Sequence, residues 1–184
     1  TLEEKIGQMC QFVAPAHIEK SKRRLKGEEL VYNDQWGTYP GLNAEKLKQK
    51  VKNGEIGSFL HVKDVVEANE LQKLAQKSRL GIPLIIGIDA IHGHGMVRGT
   101  TIFPTQIGLA STWDVGLVHD VAQATAKEIR ATGMHWTFSP NVEVARDPRW
   151  GRVGETFGED PLLVGRMGQA FTKGYQGNFG NENV

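Results

Sequence analysis

The 184-residue chain is 39% hydrophobic and 23% charged, the composition of a folded globular protein with one core, which excludes disorder. Twenty-two Lys and Arg against 21 Asp and Glu leave a net charge of +1, so no global field favours a nucleic-acid or anionic-membrane partner. The length fits one ordinary domain or a piece of a (β/α)8 barrel, which takes about 250 residues to close. A single Cys10 excludes an internal disulfide and offers zinc no thiolate cluster. No membrane-spanning run or signal peptide is visible, and the start at Thr1 points to a removed leader or an excised segment.

Thr1 and Glu4 form a capping-box pattern, and Leu2, Ile6 and Met9 recur at helical spacing, so the chain is expected to open in a helix. Residues 14–42, with Pro15, Gly27, Gly37, Pro40 and Gly41, read as a surface excursion. Within it, the basic stretch Lys20, Lys22, Arg23, Arg24 and Lys26 is flanked by Glu19, Glu28 and Glu29 and reads as a solvated loop. Asn43 caps a second helix with Ala44, Leu47 and Val51 on one face and Gly54 at its end. Ile56 to His61 reads as a strand, and Asp64 then starts a helix with Glu67 at the capping-box position. The apolar run from Leu84 to Ile88 suits a parallel strand covered on both faces. Asp114 caps a helix carrying Val118, Val121, Ala122, Thr125 and Ile129, with Gly133 as the stop. A strand is expected from Met134 through Ser139, Pro140 and Asn141 to Val144, then a helix from Pro161 to Tyr175 and a polar tail from Gly177. Strands alternating with helices imply a parallel α/β sheet.

In such architectures ligands lie at the carboxyl ends of strands, which singles out Asp89 and the charged loop from Arg146 to Pro161. A strand-end carboxylate accepts hydroxyl hydrogen bonds while an arginine fork donates to neighbouring oxygens, a pairing suited to a sugar. An Asp–Arg ion pair that merely fixes loops is the competing reading. His92 and His94 have short metal-ligand spacing but no third ligand stands out, so they are read as loop-structuring. Gly93, Gly95 and Gly99 miss the dinucleotide fingerprint. Asp147-Pro148 reads as a turn, and Glu159-Asp160-Pro161 as a helix start. Glu143 or Glu155 is a possible carboxylate partner for Asp89, since retaining glycoside hydrolysis uses two carboxyl groups about 5–5.5 Å apart.

The run from Gly81 through Asp89 to Gly93, followed by Thr101-Ile102-Phe103-Pro104 and Gly108-Leu109-Ala110, resembles family 3 glycoside hydrolases. So do Ser139-Pro140-Asn141, the stretch Arg146-Asp147-Pro148-Arg149-Trp150-Gly151-Arg152, and Glu155, Glu159, Asp160 and Pro161 after it. Thr1 to Met9 is similar to the start of that family's catalytic domain. The resemblance implies a TIM-like (β/α)8 barrel, no cofactor, and a retaining removal of terminal non-reducing β-D-glucosyl residues from β-glucosides or β-glucans. It matches Asp89 and Arg152 to residues that hold the terminal sugar, with His92 and Glu155 as supporting neighbours. The motif after Asp89 is closer to the β-glucosidase branch than to the N-acetylglucosaminidase branch.

The family's Lys-His pair, nucleophilic aspartate and acid/base have no counterpart position here. Residues 1–184 are therefore expected to be the N-terminal, incomplete portion of the barrel domain, with the catalytic pair beyond Val184 and the isolated chain inactive. The alternative is a non-catalytic fragment, or one component of a split protein, that binds carbohydrate or assembles with the missing half. For the parent, a periplasmic or secreted location is favoured over the cytoplasm.

Overall fold

The computed structural model describes residues 1–24 and 41–177, which fall into two compact units, Thr1–Gly87 and a second from Ile88 onward. In the first unit, Thr1 opens α1 (Leu2–Gln8) with the expected capping box: its hydroxyl accepts from the Glu4 N–H at 3.2 Å, and the Glu4 carboxylate accepts from the Thr1 nitrogen at 2.7 Å. The face α1 buries is not the expected one. Leu2, Ile6 and Met9 are exposed, whereas Glu4 and Gly7 are buried. The reason is close backbone approach, since a Cβ on Gly7 would stand 2.5 Å from the Gly54 carbonyl oxygen. Glu4 takes a two-pronged ion pair from Arg79, with Nε on Oε1 at 3.0 Å and Nη2 on Oε2 at 2.5 Å.

After β1 (Gln11–Val13), helix α2 (Pro15–Arg24) replaces the beginning of the expected surface excursion and most of its basic loop. Pro15 is a helix start here: its fixed φ suits the first turn, where a missing N–H costs nothing, and Ile18 is buried behind it. The remainder of that excursion, with Lys26, lies outside the described residues, as does the expected tail beyond residue 177. Helix α3 (Ala44–Lys52) starts on Asn43, whose side chain accepts from the Lys46 N–H at 2.8 Å, and it buries Leu47 and Val51 as expected. Asp64 caps α4 (Val65–Ala75) by accepting from Val66 and Glu67 N–H at 2.7 and 3.0 Å. Glu67 does not close the expected box; its carboxylate accepts from the Ala16 N–H at 2.9 Å instead.

Strand β2 (Ser58–Leu60) pairs in parallel with β1 and with β3 (Ile85–Ile88), placing Phe59 opposite both Phe12 and Ile86. Phe59, Leu47, Ile56, Leu71 and Ile86 form the core between this sheet and its helices. β3 is less covered than its sequence predicts, because Ile85 is exposed while Ile86 and Ile88 are wholly buried.

The second unit centres on α6 (Val115–Ala131), capped by Asp114, and α7 (Pro161–Gln176), capped by Asp160; both helices follow their sequence signals. All five expected apolar-face residues of α6 are buried, as are Val164, Met167, Phe171 and Tyr175 of α7. The two helices meet closely at a glycine: a Cβ on Gly174 would stand 2.6 Å from that of Ala122. A short helix the sequence did not signal, α5 (Gln106–Ala110), precedes α6. The long strand expected from Met134 to Val144 shrinks to β4 (Trp136–Thr137). Phe138 N–H still donates to the Ile88 carbonyl at 3.4 Å, but Pro140 brings no N–H to extend a ladder.

Candidate functional site

Asp89 is the half-buried residue that directly follows β3. The next residue, Ala90, is fully buried, and its carbonyl accepts the Tyr175 hydroxyl of α7 at 2.5 Å. Burial raises the Tyr175 pKa, so its phenol stays protonated and donates. The backbone just past Asp89 is thereby tied to a packed helix.

The loop that follows is closed on itself. His92 Nδ1 donates to the Phe103 carbonyl at 2.9 Å, and the Phe103 N–H returns a bond to the His92 carbonyl at 2.8 Å. Gly93, at φ +94°, lets the Thr101 carbonyl approach where any side chain would collide. Glu128 of α6 holds Thr101 through its N–H and its hydroxyl, at 2.9 and 2.7 Å. His94 is fully buried with Nε2 2.8 Å from the Thr132 hydroxyl; Nδ1 has no hydrogen-bond partner among the described residues. The imidazoles of His92 and His94 thus fix loops, as expected, and among the described residues no three His, Cys, Asp or Glu side chains converge to hold a metal.

The second polar segment is the charged loop before α7. Asp147 accepts from the Arg149 N–H at 2.9 Å and from its guanidinium, the turn anticipated from Asp147-Pro148. A 3-10 turn, Val153–Glu155, sets Arg152 and Glu155 one turn apart. Arg152 Nε and Nη2 both donate to Glu155 Oε2, at 3.0 and 2.6 Å. The same oxygen accepts from Asn141 Nδ2 at 2.8 Å. The hydrogen bond to Glu155 raises the Arg152 pKa, followed by the charge of Glu155 and by smaller contributions from Glu143 and Asp89. Arg152 is therefore a permanently charged, exposed guanidinium held by Glu155, with Asp89 and Glu143 in its electrostatic neighbourhood.

Of the residues singled out from sequence, Asp89, Arg152 and Glu155 share this neighbourhood, while the His92 ring is engaged with Phe103. Glu155 bonds Arg152 and Asn141 instead of standing as an open carboxylate partner for Asp89. Two participants escaped sequence reasoning. Asn141 follows β4 by a few residues, but the strand expected through it to Val144 put the strand end beyond it. Gln106, without solvent exposure at the start of α5, has one end of its amide facing the carbonyl oxygens of Glu155 and, at 3.3 Å, Asn141, which assigns that end as the nitrogen. Nothing in its local sequence distinguishes it.

Parallel strands alternating with helices, and polar residues at the strand ends, define the opening units of a TIM-like α/β barrel. Residues 1–183 match the glycosyl hydrolase family 3 N terminal domain, and the chain belongs to that family. It is 33% identical to the lysosomal β-glucosidase of Dictyostelium discoideum over 184 residues, covering 96% of this chain and 22% of that protein. Against the periplasmic β-glucosidase of Salmonella typhimurium it is 36% identical over 134 residues, 72% of this chain and 17% of the relative. The structure of a β-glucosidase from Listeria innocua in complex with glucose superposes with a TM-score of 0.74 at 34% identity, covering all of this chain and 24% of that one. The chain thus spans about a fifth of the length of the curated relatives it matches. Among the described residues no helix is long and apolar enough to cross a membrane.

Proposed function

We propose that residues 1–184 are the first part of the barrel domain of a β-glucosidase-type hydrolase that removes terminal non-reducing β-D-glucosyl residues with retention. In this reading Asp89 and Arg152 hold hydroxyls of the terminal ring, and Glu155 and Asn141 position Arg152. The observation that carries it is the Arg152 guanidinium, fixed on Glu155 in the field of a strand-end aspartate. A carboxylate accepts from two sugar hydroxyls while a planar fork donates to their neighbours, so the pair reads a polyol without needing a charged ligand. The nucleophile and acid/base belong to residues outside this chain, supplied by a continuing or a separate chain. The substrate is a β-glucoside or β-glucan oligosaccharide, in keeping with the glucose complex of the Listeria relative. The periplasmic relative favours a location outside the cytoplasm.

The test is steady-state kinetics of the longer protein on p-nitrophenyl β-D-glucoside. Charged hydrogen bonds of about 1.5–3 kcal/mol each predict a roughly 100-fold or greater loss of kcat/KM for Asp89→Ala. Arg152→Lys, which keeps the charge but loses the fork, falls by at least tenfold. Unchanged efficiency in Arg152→Lys refutes the role given to the guanidinium. Turnover by the isolated chain refutes the location of the catalytic pair.

A further inference from the structure

Glu128 stands in the last turn of α6, where the helix dipole disfavours a negative charge, so helix stability gives no reason for a carboxylate there. Both of its oxygens serve one residue of the loop after β3. Oε2 accepts from the Thr101 N–H at 2.9 Å and Oε1 from the Thr101 hydroxyl at 2.7 Å. Thr101 is exposed and Glu128 half-buried, and a hydrogen bond at such a surface replaces one to water, so the pair adds little to folding. What it fixes is the place of Thr101.

Thr101 belongs to one arm of a small closed structure whose other arm leads back to Asp89. Ile102 and Gly93 pair antiparallel, and the Thr101 carbonyl packs where only a glycine admits it. The Phe103 N–H donates to the His92 carbonyl at 2.8 Å, and the His92 ring donates to the Phe103 carbonyl at 2.9 Å. A second tie runs to the same end of α6: His94 Nε2 stands 2.8 Å from the Thr132 hydroxyl, while the Thr100 hydroxyl donates to the His94 and Val97 carbonyls. A displacement of Thr101 is therefore passed to His92 and Gly93, a few residues beyond Asp89. The loop is held at Ala90 by Tyr175 and at Thr101 by Glu128.

We propose that Glu128 is a positioning residue for Asp89: it sets the loop that aims the strand-end carboxylate at the hydroxyls of the terminal ring. This rests on the sugar-binding role given to Asp89 above. Glu128 makes no bond to the sugar and acts only through Thr101 and the arm that Thr101 closes.

The experiment is a double-mutant cycle on the longer protein, read as kcat/KM for p-nitrophenyl β-D-glucoside. Glu128→Ala is expected to lose about tenfold in the wild-type background and less than about twofold beside Asp89→Ala, because the carboxylate it positions is gone. Glu128→Gln keeps an oxygen for the Thr101 N–H and gives its amide to the Thr101 hydroxyl, so it stays within about twofold of wild type. Unchanged efficiency in Glu128→Ala, an equal loss in both backgrounds, or a loss in Glu128→Gln as large as in Glu128→Ala overturns the proposal. If Glu128→Ala does not fold, Thr101→Val removes the hydroxyl from the exposed end of the same contact. A loss of about threefold, absent beside Asp89→Ala, then sustains the proposal, and no loss or an equal one overturns it.

The two readings fail separately. Asp89→Ala equal to wild type refutes the sugar-binding role and takes this proposal with it; Asp89→Ala impaired with Glu128→Ala intact refutes the positioning role alone. Should the wild-type protein cleave no glucoside, the glycosidase reading fails by itself, and the same cycle is read by calorimetric titration with glucose. A Kd raised about tenfold in Glu128→Ala sustains the proposal; an unchanged Kd, or no binding by the wild type, overturns it.

Discussion

Gln106→Glu tests how the Arg152 loop is held, because it changes one atom of a buried side chain without changing its shape. One end of its amide faces the carbonyl oxygens of Glu155 and Asn141, a place that only the donating nitrogen fits, and the side chain has no contact with solvent. A carboxylate there places oxygen against two oxygens and leaves both carbonyls unsatisfied. At about 1–3 kcal/mol for each unsatisfied buried group, the loss is of order 4 kcal/mol. For a chain of 184 residues, about 2–4 °C per kcal/mol makes that a fall in Tm of roughly 8–16 °C at neutral pH. Differential scanning calorimetry across pH adds a second readout. The introduced carboxyl is buried among acceptors, so its folded pKa rises above the unfolded value of about 4.3. The folded state then retains a proton that the unfolded chain releases. The deficit is therefore smallest below about pH 4.3 and grows as pH rises through the folded pKa. A Tm within 2 °C of wild type at neutral pH, or a deficit independent of pH, refutes this account of Gln106.

Three further outcomes follow from the geometry. Tyr175→Phe removes the donor to the Ala90 carbonyl; a loss of about 1–3 kcal/mol by urea unfolding is expected, with KM for an aryl β-glucoside raised because Asp89 is the adjoining residue. Glu4 is held at a pKa of about 2 by its bonds to Arg79 and to the Thr1 nitrogen. A carboxyl depressed in the folded state contributes stability above its unfolded pKa of about 4.3 that is lost as pH falls toward 2, so Glu4→Gln flattens the acid limb of a Tm-against-pH profile over that window. Burial lowers the pKa of His94, so the unfolded chain takes up a proton that the folded one refuses as pH drops below about 6.5. Wild-type stability therefore declines below that pH, and chemical unfolding of His94→Phe shows a shallower decline.

Helices whose apolar spacing and end signals agreed were legible in the sequence. α6 shows both, with Asp114 accepting from the Leu117 N–H at 3.0 Å and Val118, Ala122 and Ile129 wholly buried. Elsewhere tertiary contact decided which face was buried and which pattern was used. The apolar spacing of α1 pointed to Leu2, Ile6 and Met9, but the helix packs through Gly7 because only glycine lets it reach the backbone at Gly54 and Glu55. Pro15 was read as a break because proline marks loops as well as helix starts, and only the burial of Ile18 separates the two. Glu67 satisfied the capping pattern yet bonds a backbone N–H 51 residues away, which no local pattern encodes. In the site, Asp89 was legible because an apolar strand ended in a carboxylate, and Arg152 through its motif. Gln106 was not, because a buried amide announces itself only through the carbonyls that surround it.

The clasp between Arg152 and Glu155 has a consequence for entropy. An exposed ion pair contributes little to folding, and Arg152 is more than half exposed, so the contact adds little to the stability of this loop. What it removes is motion. An unrestrained arginine surrenders up to about 2 kcal/mol of rotamer freedom when it is immobilised, and that cost falls on whichever event orders it. With Nε and one terminal nitrogen already on the Glu155 oxygen, and that oxygen also held by Asn141, the ordering is completed before any ligand arrives. A ring docking against this guanidinium would meet a donor array whose orientation had been chosen during folding, and its hydroxyls would bind without having to still the side chain first.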